Sequence, residues 1–286
     1  MSVAILTDSN AGITQSEAKE LGIFVLPMPF TINGEEFYED INLTQDEFYN
    51  KLTGNAEIFT SQPAAGDVTI KFDEILKDFD ELVHIPMSSG LSGSCQTSMM
   101  LSQDEKYEGK VFVVDDQRVS VTQKQDVFLA KKLADAGKSG KEIQEFLMQH
   151  KMEATIYITV NTLDYLKKGG RLTPAAAALG SLLKIKPVLS IQGEKLDSFQ
   201  KARTMAKAKS IMIDAVKADI ASHNDKEENW EIMVAYTQDQ DAAKDLVTQV
   251  SEAFPNNTIT ICDPLSLSVS CHIGPGALAV AACKKY

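Results

Sequence analysis

Residues 82–101 read LVHIPMSSGLSGSCQTSMML, and this stretch decides the fold class. Residues 82–85 form a short apolar run typical of a buried strand, and residues 95–101 are typical of a helix. A strand, a loop of glycines and hydroxyls and then a helix bring unpaired backbone N–H groups and the positive end of a helix dipole together. The loop, residues 88–94, contains no Lys or Arg. It therefore predicts a site where hydroxyl and amide groups alone bind a carboxylate or a phosphate.

The same alternation of strand and helix runs through the first half of the chain. Apolar runs separated by helical periodicity indicate a mainly parallel sheet with helices on both faces. Asn33-Gly34, between two apolar runs, predicts a β-hairpin that departs from this alternation. The predicted strands are 3–7, 23–26, 82–85 and 111–114, and the predicted helices are 14–21, 44–52, 67–79 and 120–136.

The second half of the chain mixes a hairpin with crossovers, which predicts a mixed sheet. The predicted strands are 155–160, 187–192, 195–199, 231–236 and 258–262, and the predicted helices are 175–183, 207–220, 242–254 and 275–283. A helix at 141–150 precedes the domain boundary. We therefore expect an N-terminal three-layer α/β/α domain at 1–152 that carries the hydroxyl loops, and a C-terminal α/β domain at 153–286.

Composition limits the class of protein. The 286 residues are enough for two domains, and the net charge of −12 argues against nucleic acid as a partner. No apolar run approaches the roughly 20 residues that span a bilayer, and the first residues lack the positive region of a signal peptide. The cysteines and histidines show no metal-ligand spacing. We expect a cytoplasmic protein without a transmembrane segment or a metal site.

The charge is unevenly distributed. Residues 167–209, here called the basic band, contain ten basic and two acidic residues, a local charge of +8 against −20 for the rest of the chain. Solvated helix faces account for part of such a pattern. An asymmetry of this size indicates a surface that faces an anionic partner.

Three further loops lie at predicted strand ends or helix starts, where α/β sheets build their ligand sites. They are residues 7–9 (TDS), residues 60–63 (TSQP) and residues 271–277 (CHIGPGA), the last of which would open the final predicted helix. Each motif by itself is more often a helix cap, an Asx turn or a structural histidine. Their combination points to a ligand site.

In order and spacing the motifs resemble the DegV family over essentially the whole chain. The resemblance is carried by residues 7–9 (TDS), 60–63 (TSQP), 88–94 (SSGLSGS) with Gln96, 113–115 (VVD), 169–171 (GGR), 182–187 (LLKIKP), 201–204 (KART) and 272–277 (HIGPGA). Two positions depart from the usual family pattern: Ala64 replaces a common Ser, and Asp116 replaces a small hydroxyl residue. Neither change removes a predicted ligand contact.

The resemblance implies a palmitate-like, long-chain fatty acid bound between two α/β domains. It assigns the fatty-acid carboxylate to Thr60, Ser61, Ser92, Gly93, Ser94 and His272. In FakB-type members the fatty acid is presented to a separate fatty acid kinase, which forms an acyl phosphate. Arg171 and Arg203 would face that kinase. ATP and magnesium would then be bound by the kinase, and this chain would bind no cofactor and have no turnover of its own.

The residues themselves favour a carboxylate over a phosphate. A dedicated phosphate site normally carries a bidentate Arg or a P-loop Lys, and the hydroxyl loops have neither. Burying ~15 methylenes at ~0.8 kcal/mol each gives ~12 kcal/mol, against ~1.5–3 kcal/mol for each hydrogen bond to a charged group. We therefore expect an apolar tunnel to supply affinity and the hydroxyls to supply orientation.

One alternative belongs to a different class. A stand-alone phosphotransferase or hydrolase could use Asp8, Asp115 and His272 as acid, base or magnesium ligands, since both aspartates end predicted strands. An aspartate at a strand end more often orients a neighbouring loop. The chain has no Walker A motif, kinase signature or Gly-x-Gly-x-x-Gly motif, so an ATP site would belong to a partner. Binding without turnover in the presence of ATP and magnesium would distinguish the carrier from the enzyme.

Overall fold

The computed structural model describes residues 2–54, 56–179, 185–193 and 195–286. They form two compact units. Unit 1 comprises Met1–Thr44 and Glu57–Met152, and unit 2 comprises Gln45–Ala56 and Glu153–Tyr286. The division follows residue 152, as in the expected domains 1–152 and 153–286, but the insertion Gln45–Ala56 differs because it belongs to unit 2.

The helices and strands alternate along most of the chain. The strands are β1 (Val3–Asp8), β2 (Phe24–Leu26), β3 (Pro29–Ile32), β4 (Glu35–Tyr38), β5 (Ile58–Thr60), β6 (Glu81–Ile85), β7 (Val111–Val113), β8 (Ala154–Thr159), β9 (Lys186–Ile191), β10 (Asp197–Ala202), β11 (Trp230–Tyr236), β12 (Ile259–Pro264) and β13 (Leu278–Lys284). The α-helices are α1 (Gln15–Leu21), α2 (Gln45–Thr53), α3 (Ala65–Ile75), α4 (Ser94–Ser102), α5 (Val121–Asp135), α6 (Gly140–His150), α7 (Asp164–Gly169), α8 (Pro174–Ala178), α9 (Met205–Ser222), α10 (Gln240–Ala253) and α11 (Leu267–Ile273).

Unit 1 contains the predicted parallel sheet, with strand order β2-β1-β6-β7. Successive side chains of a strand point to opposite faces, so Ile5 packs with α1, α5 and α6 while Leu6 packs with α3 and α4. Both faces of the sheet are therefore covered by helices. The predicted three-layer arrangement is confirmed, and the carboxyl ends of β1 and β6 lie side by side in register.

The hairpin predicted at Asn33-Gly34 is also confirmed. Strands β3 and β4 pair antiparallel across these two residues, which both have positive φ as the tight turn requires. Strand β5, which the sequence analysis did not predict, adds to the other edge of β3. This small sheet places Thr60 at the end of a strand.

Unit 2 is built on the predicted mixed sheet, with strand order β10-β9-β8-β13-β11-β12. The pair β11–β12 is parallel, and the remaining neighbours are antiparallel. Helices α9 and α10 contribute Met212, Val216 and Leu246 to the core that covers the sheet. The hairpin β9–β10 is confirmed, although Glu194 in its turn lies outside the described residues.

The final helix predicted at 275–283 is wrong. Those residues form β13, which pairs antiparallel with both β8 and β11 in the middle of the sheet. Its residues from Leu278 to Cys283 are all buried. A strand that is buried on both faces reads as a continuous apolar run, and its period cannot be distinguished from that of a buried helix. The helix in this region, α11, instead ends at Ile273.

The segment Gln45–Ala56 joins unit 2 through helix α2. Its inward face is formed by Phe48, Tyr49 and Leu52. The Tyr49 hydroxyl donates a hydrogen bond to the Ser270 Oγ at 3.0 Å. A spacing pattern predicts that a helix has an apolar face, but it does not specify which part of the chain that face will contact.

The helix predicted at 175–183 begins as expected. Thr173 accepts a hydrogen bond from the backbone N–H of Ala176, and Pro174 occupies the first turn of α8. Residues 180–184 lie outside the described residues. The second half of that predicted helix and the first half of the motif at 182–187 are therefore not described.

Candidate functional site

The loop 88–94 joins β6 to α4 in unit 1, as the sequence predicted. The backbone N–H groups of Leu91 and Ser92 both donate to the Ser88 carbonyl at 3.1 Å, which closes the turn. The Ser94 N–H donates to the Ser92 Oγ at 3.2 Å. Because the Ser92 oxygen already accepts a hydrogen bond, its own O–H can point outward as a donor to a ligand.

Asp115 anchors this loop from the end of the neighbouring strand β7. The Ser89 N–H donates to one carboxylate oxygen of Asp115 at 3.1 Å, and the Ser89 hydroxyl donates to the other at 2.6 Å. Both oxygens of Asp115 thus contact one serine of the loop. These contacts give Asp115 a structural role. They disfavour it as the acid or base of a stand-alone phosphotransferase or hydrolase.

The second hydroxyl loop, residues 60–63, lies next to the first within unit 1. Thr60 ends β5 opposite Phe30, and the Ser61 N–H donates to the Pro29 carbonyl at 3.3 Å. Gln62 then reaches α4, where its Nε2 donates to the Thr97 Oγ1 at 3.0 Å. The loop 60–63 is therefore tied by a side chain to the helix that follows the loop 88–94.

Sequence reasoning assigned no role to Gln62. A Cβ on Gly93 would lie 2.9 Å from the Gln62 Oε1, so a side chain at position 93 would displace the glutamine. Gly93 therefore lets the end of the Gln62 side chain approach the loop closely. The signal available in the sequence was the co-occurrence of Gln62 and Gly93 in the two motifs.

Asp8 ends β1 in the interior of unit 1 and supports the start of the loop 88–94. Its Oδ2 accepts from the Met87 N–H at 2.8 Å, and its Oδ1 accepts from the Asn10 N–H at 3.0 Å and from the Gln123 Nε2 at 3.2 Å. Burial raises the pKa of Asp8 to about 6, against the opposing effect of these hydrogen bonds. The carboxyl is 1% exposed, which favours a structural role over the catalytic alternative.

Asp116, one of the two positions that depart from the usual family pattern, belongs to a buried cluster of charged residues. Asp116 accepts a hydrogen bond from the Arg118 N–H at 3.0 Å, and the Arg118 guanidinium pairs with Asp126 at 2.6 Å. Burial, reinforced by the nearby Asp126, raises the pKa of Asp116 well above its usual range. The Arg118 carbonyl accepts from the Ser88 N–H at 2.8 Å, so this cluster lies directly behind the hydroxyl loop.

His272 and Arg171 are brought together in unit 2. The imidazole of His272, in the last turn of α11, lies so close to Gly169 that a Cβ there would be 2.0 Å from its Nδ1. The Arg171 Nη1 donates to the Gly169 carbonyl at 2.5 Å. Burial, assisted by the positive charge of Arg171, lowers the pKa of His272 to about 4. The imidazole is therefore neutral near pH 7, and its contact with a fatty-acid carboxylate stays a prediction.

The turn after α11 differs from the expected helix start. Gly274 and Gly276 both have positive φ, and a Cβ on Gly274 would lie 2.3 Å from the Tyr165 ring. The Thr237 hydroxyl donates to the Gly274 carbonyl at 2.7 Å and accepts from the Ala277 N–H at 2.8 Å. This turn connects α11, which carries His272, to the central strand β13.

The basic band is only partly an exposed surface. Arg203, after β10, is exposed, whereas Lys209 is buried and pairs with Asp245 at 2.6 Å. The Lys186 Nζ donates to the Asn161 Oδ1 at 2.8 Å. Lys184 lies outside the described residues. The exposed cations of the band therefore include Arg203 but exclude Lys209.

Neither a metal site nor a membrane-spanning helix occurs in the part of the chain that the structure describes. Within those residues no group of three or more His, Cys, Asp or Glu side chains could hold a metal ion. The same residues contain no helix that is both long and apolar enough to cross a bilayer.

Known proteins match this chain over nearly its whole length. The family model described as "Uncharacterised protein, DegV family" matches residues 2–285. A DegV domain-containing protein of Clostridium perfringens is 32% identical over 282 residues, which cover 96% of this chain and 95% of the relative. Among solved structures, a fatty-acid-binding DegV family protein from Thermus thermophilus superposes with a TM-score of 0.90 at 27% identity, covering 99% of this chain and 100% of the other. DegV of Bacillus subtilis, described as a fatty acid binding protein, gives 0.87 at 27% identity with both chains fully covered.

Proposed function

The chain belongs to the DegV family, and we propose that it binds one long-chain fatty acid by the carboxylate. The observation that carries this proposal is the juxtaposition of two hydroxyl loops that contain no Lys or Arg: Gln62 of one loop is hydrogen-bonded to Thr97 in the helix that follows the other, and its Oε1 lies beside Gly93. The fatty acid binding described for the similar proteins of T. thermophilus and B. subtilis supports the same ligand class.

The head group would be held by neutral donors of unit 1. The hydroxyls of Thr60 and Ser92 would donate to the carboxylate, with backbone N–H groups near Ser61, Gly93 and Ser94 assisting. Such donors can hold one carboxylate oxygen and leave the other able to attack a phosphoryl group. The absence of a cation from the two loops keeps that oxygen nucleophilic, because no fixed positive charge neutralises it.

We further propose the FakB-type role, in which a separate kinase phosphorylates the bound fatty acid. ATP and magnesium would be bound by that kinase. Arg171 and the exposed Arg203 would contact it, because an acidic chain that concentrates basic residues in one band attracts an anionic surface there.

The ligand class is tested by extracting purified protein with organic solvent and by native mass spectrometry. We expect about one fatty acid per chain, since the buried alkyl chain supplies most of the binding free energy. Recovery of a nucleotide or a sugar phosphate, with no lipid, would refute the proposal.

The head-group residues are tested with the double variant Thr60→Val and Ser92→Ala. We expect it to retain most of its fatty acid but to lose at least tenfold in acyl-phosphate formation with a cognate kinase, because the hydroxyls orient the carboxylate rather than provide affinity. Ser102→Ala is the matched control: its hydroxyl, in the same helix as Ser94, donates to the Met99 carbonyl. A folded double variant without any lipid would contradict this division of roles.

The kinase surface is tested with Arg171→Ala and Arg203→Ala. We expect unchanged lipid content and slower kinase-coupled turnover, with a loss that high salt reproduces in the wild type, because a charge at a binding surface acts mainly on association. Arg203 is exposed, whereas Arg171 is half-buried and its Nη1 donates to the Gly169 carbonyl, so Arg203→Ala is the cleaner test. Lys141→Ala serves as control, since that lysine is exposed in unit 1, outside the basic band. Normal turnover by both arginine variants would show that they do not serve a partner.

A further inference from the structure

The two hydroxyl loops of unit 1 are anchored in different sheets. The loop 60–63 follows β5, an edge strand of the three-stranded sheet, whereas the loop 88–94 follows β6 in the parallel sheet. The hydrogen bonds of a ladder fix a loop to its own sheet, but they do not fix it to a loop of another sheet. The distance between the Thr60 and Ser92 hydroxyls therefore depends on contacts that cross from one sheet to the other.

The side chain of Gln62 makes such a contact. Gln62 lies two residues after Thr60, and its amide reaches Thr97 in the first turns of α4. The Thr97 hydroxyl accepts a hydrogen bond from the Gln62 Nε2 at 3.0 Å and donates one to the Oε1 at 3.3 Å. Both atoms of the amide group thus contact one hydroxyl, so the link persists whichever way the amide is turned.

The same amide lies against Gly93, the residue that follows Ser92. Gly93 and Thr97 are four positions apart, which places them on one face of the helix end. A Cβ on Gly93 would lie 2.9 Å from the Gln62 Oε1. Within the described ranges, and apart from the chain neighbours of Gly93, the atoms within 4 Å of that Cβ all belong to Gln62. The amide therefore lies one residue from Ser92 and two residues from Thr60.

This contact is better suited to positioning than to stabilising the fold. The Gln62 side chain is exposed and Thr97 is half-buried, so water competes for the hydrogen bond and its contribution to the free energy of unfolding is small. Geometry matters more for a site with donors on two loops. A misplacement of about 1 Å can slow a reaction by about 100-fold.

We propose that Gln62 is a positioning residue of the head-group site, which holds the Thr60 hydroxyl at the distance from Ser92 at which both can donate to one carboxylate. This inference rests on the fatty acid binding proposed above. It adds to that site a residue that acts through Thr60 and not on the ligand itself.

The pKa of the bound carboxyl group tests the proposal, because hydrogen bonds to the charged form lower it. Delipidated full-length protein is loaded with palmitate that carries ¹³C at the carboxyl carbon, and the NMR shift of that carbon is followed against pH. We expect Gln62→Ala to raise this pKa about as far as Thr60→Val does. Thr97→Val removes the same contact from the side of α4 and should also raise the pKa, whereas Thr97→Ser keeps the hydroxyl and should keep the wild-type value.

Double variants show whether Gln62 acts through Thr60. Adding Gln62→Ala to Thr60→Val should raise the pKa no further, because the hydroxyl that Gln62 positions is already absent. Gly93→Ala should raise the pKa by displacing the glutamine, and it should be non-additive with Gln62→Ala. Gln103→Ala is the matched control, since it removes an exposed glutamine at the other end of α4 and should leave the pKa unchanged.

The outcomes separate this proposal from the proposed function. Melting temperatures should stay near that of the wild type in all of the Gln62 and Thr97 variants. Bound palmitate with the wild-type pKa in both Gln62→Ala and Thr97→Val would overturn the role of Gln62 and leave fatty acid binding intact. A further rise when Gln62→Ala is added to Thr60→Val would also overturn it, since Gln62 would then act independently of Thr60. A wild-type chain that binds no palmitate would refute the proposed function, and the role of Gln62 with it.

Discussion

Two turns rich in small residues, one in each unit, are held by different means. The loop 88–94 of unit 1 is held by hydrogen bonds: Asp115 accepts two from Ser89, and Asp8 accepts one from the adjacent Met87. The turn 274–276 of unit 2 is also hydrogen-bonded, to Thr237, but it has a second requirement: side chains must be absent, because Tyr165 and Asn161 occupy the space where Cβ atoms would lie.

The difference indicates how each turn should tolerate change. A hydrogen-bonded loop loses a fraction of its stability with each contact, and it responds to the ionisation of its acceptors. A turn held by close approach at positive φ cannot accept a methyl group without displacing its neighbours. The following variants test that contrast in order of expected effect.

Gly274→Ala should have the largest effect. Its φ of +76° is unfavourable for alanine, and the new Cβ would lie 2.3 Å from a carbon of the Tyr165 ring. Strain and overpacking together should lower the free energy of unfolding by about 3–5 kcal/mol. Urea denaturation measures this change.

Gly66→Ala is the matched control for that substitution. Gly66 lies in the first turn of α3, and nothing is within 4 Å of its ideal Cβ. Alanine should therefore raise the free energy of unfolding there by about 0.4–1 kcal/mol. Equal losses at positions 274 and 66 would contradict the steric account of the second turn.

Asp8, which supports the loop 88–94, should make the free energy of unfolding depend on pH. Its pKa rises from 3.8 in the unfolded chain to about 6 when folded, so the folded state binds more protons between these values. Stability from this group is full below pH 3.8 and is lost as pH rises through 6, by about 3 kcal/mol. Asp8→Asn should remove this slope. The measurement is the free energy of unfolding of the wild type and of the Asp8→Asn variant from pH 4 to pH 7. Parallel curves for the two proteins would contradict the predicted role of Asp8.

His272, which precedes the second turn, should act with the opposite sign. Its pKa falls from 6.5 to about 4 on folding, so the unfolded chain binds more protons between these values. Stability from this group is full above pH 6.5 and is lost as pH falls through 4, by about 2 kcal/mol for this partly exposed side chain. His272→Gln should flatten that slope. An unchanged slope in the variant would show that folding does not lower the pKa of this imidazole.

Asp115→Ala should have the smallest effect, about 1 kcal/mol, because it removes two hydrogen bonds at a partly exposed position. The lost contacts should also speed hydrogen exchange at the Ser89 amide while leaving exchange in β13 unchanged. An effect as large as that of Gly274→Ala would erase the distinction between the two turns.

Much of unit 1 could be predicted because its signals are local. Thr14 caps α1, Asn33-Gly34 turns the hairpin, and glycines and hydroxyls separate β6 from α4. The same reasoning gave a wrong prediction at the end of the chain. The alanine-rich run 277–283 favours a helix by propensity, and pairing with two neighbouring strands overrides that preference.

The candidate site likewise has features that the sequence predicted and features that it did not. Residue types predicted the hydroxyl loops, because anion binding without cations requires donors of that kind. Their side-chain link through Gln62 and Thr97 could not be predicted, since these residues are 35 positions apart in the chain. Asp115 was considered as a catalytic group, and only its contacts with Ser89 identified it as an anchor.

The sequence alone determined the α/β class, the strand–loop–helix at 82–101 and the uneven charge, because each depends on residues that are close in the chain or on composition. Only the tertiary structure decided that residues 278–284 form a central strand, that Gln45–Ala56 belongs to unit 2, and that Gln62 contacts Thr97. The physical reason is that these features depend on contacts between distant segments. The free energy of such contacts exceeds local preference, and no local pattern encodes the identity of the partner.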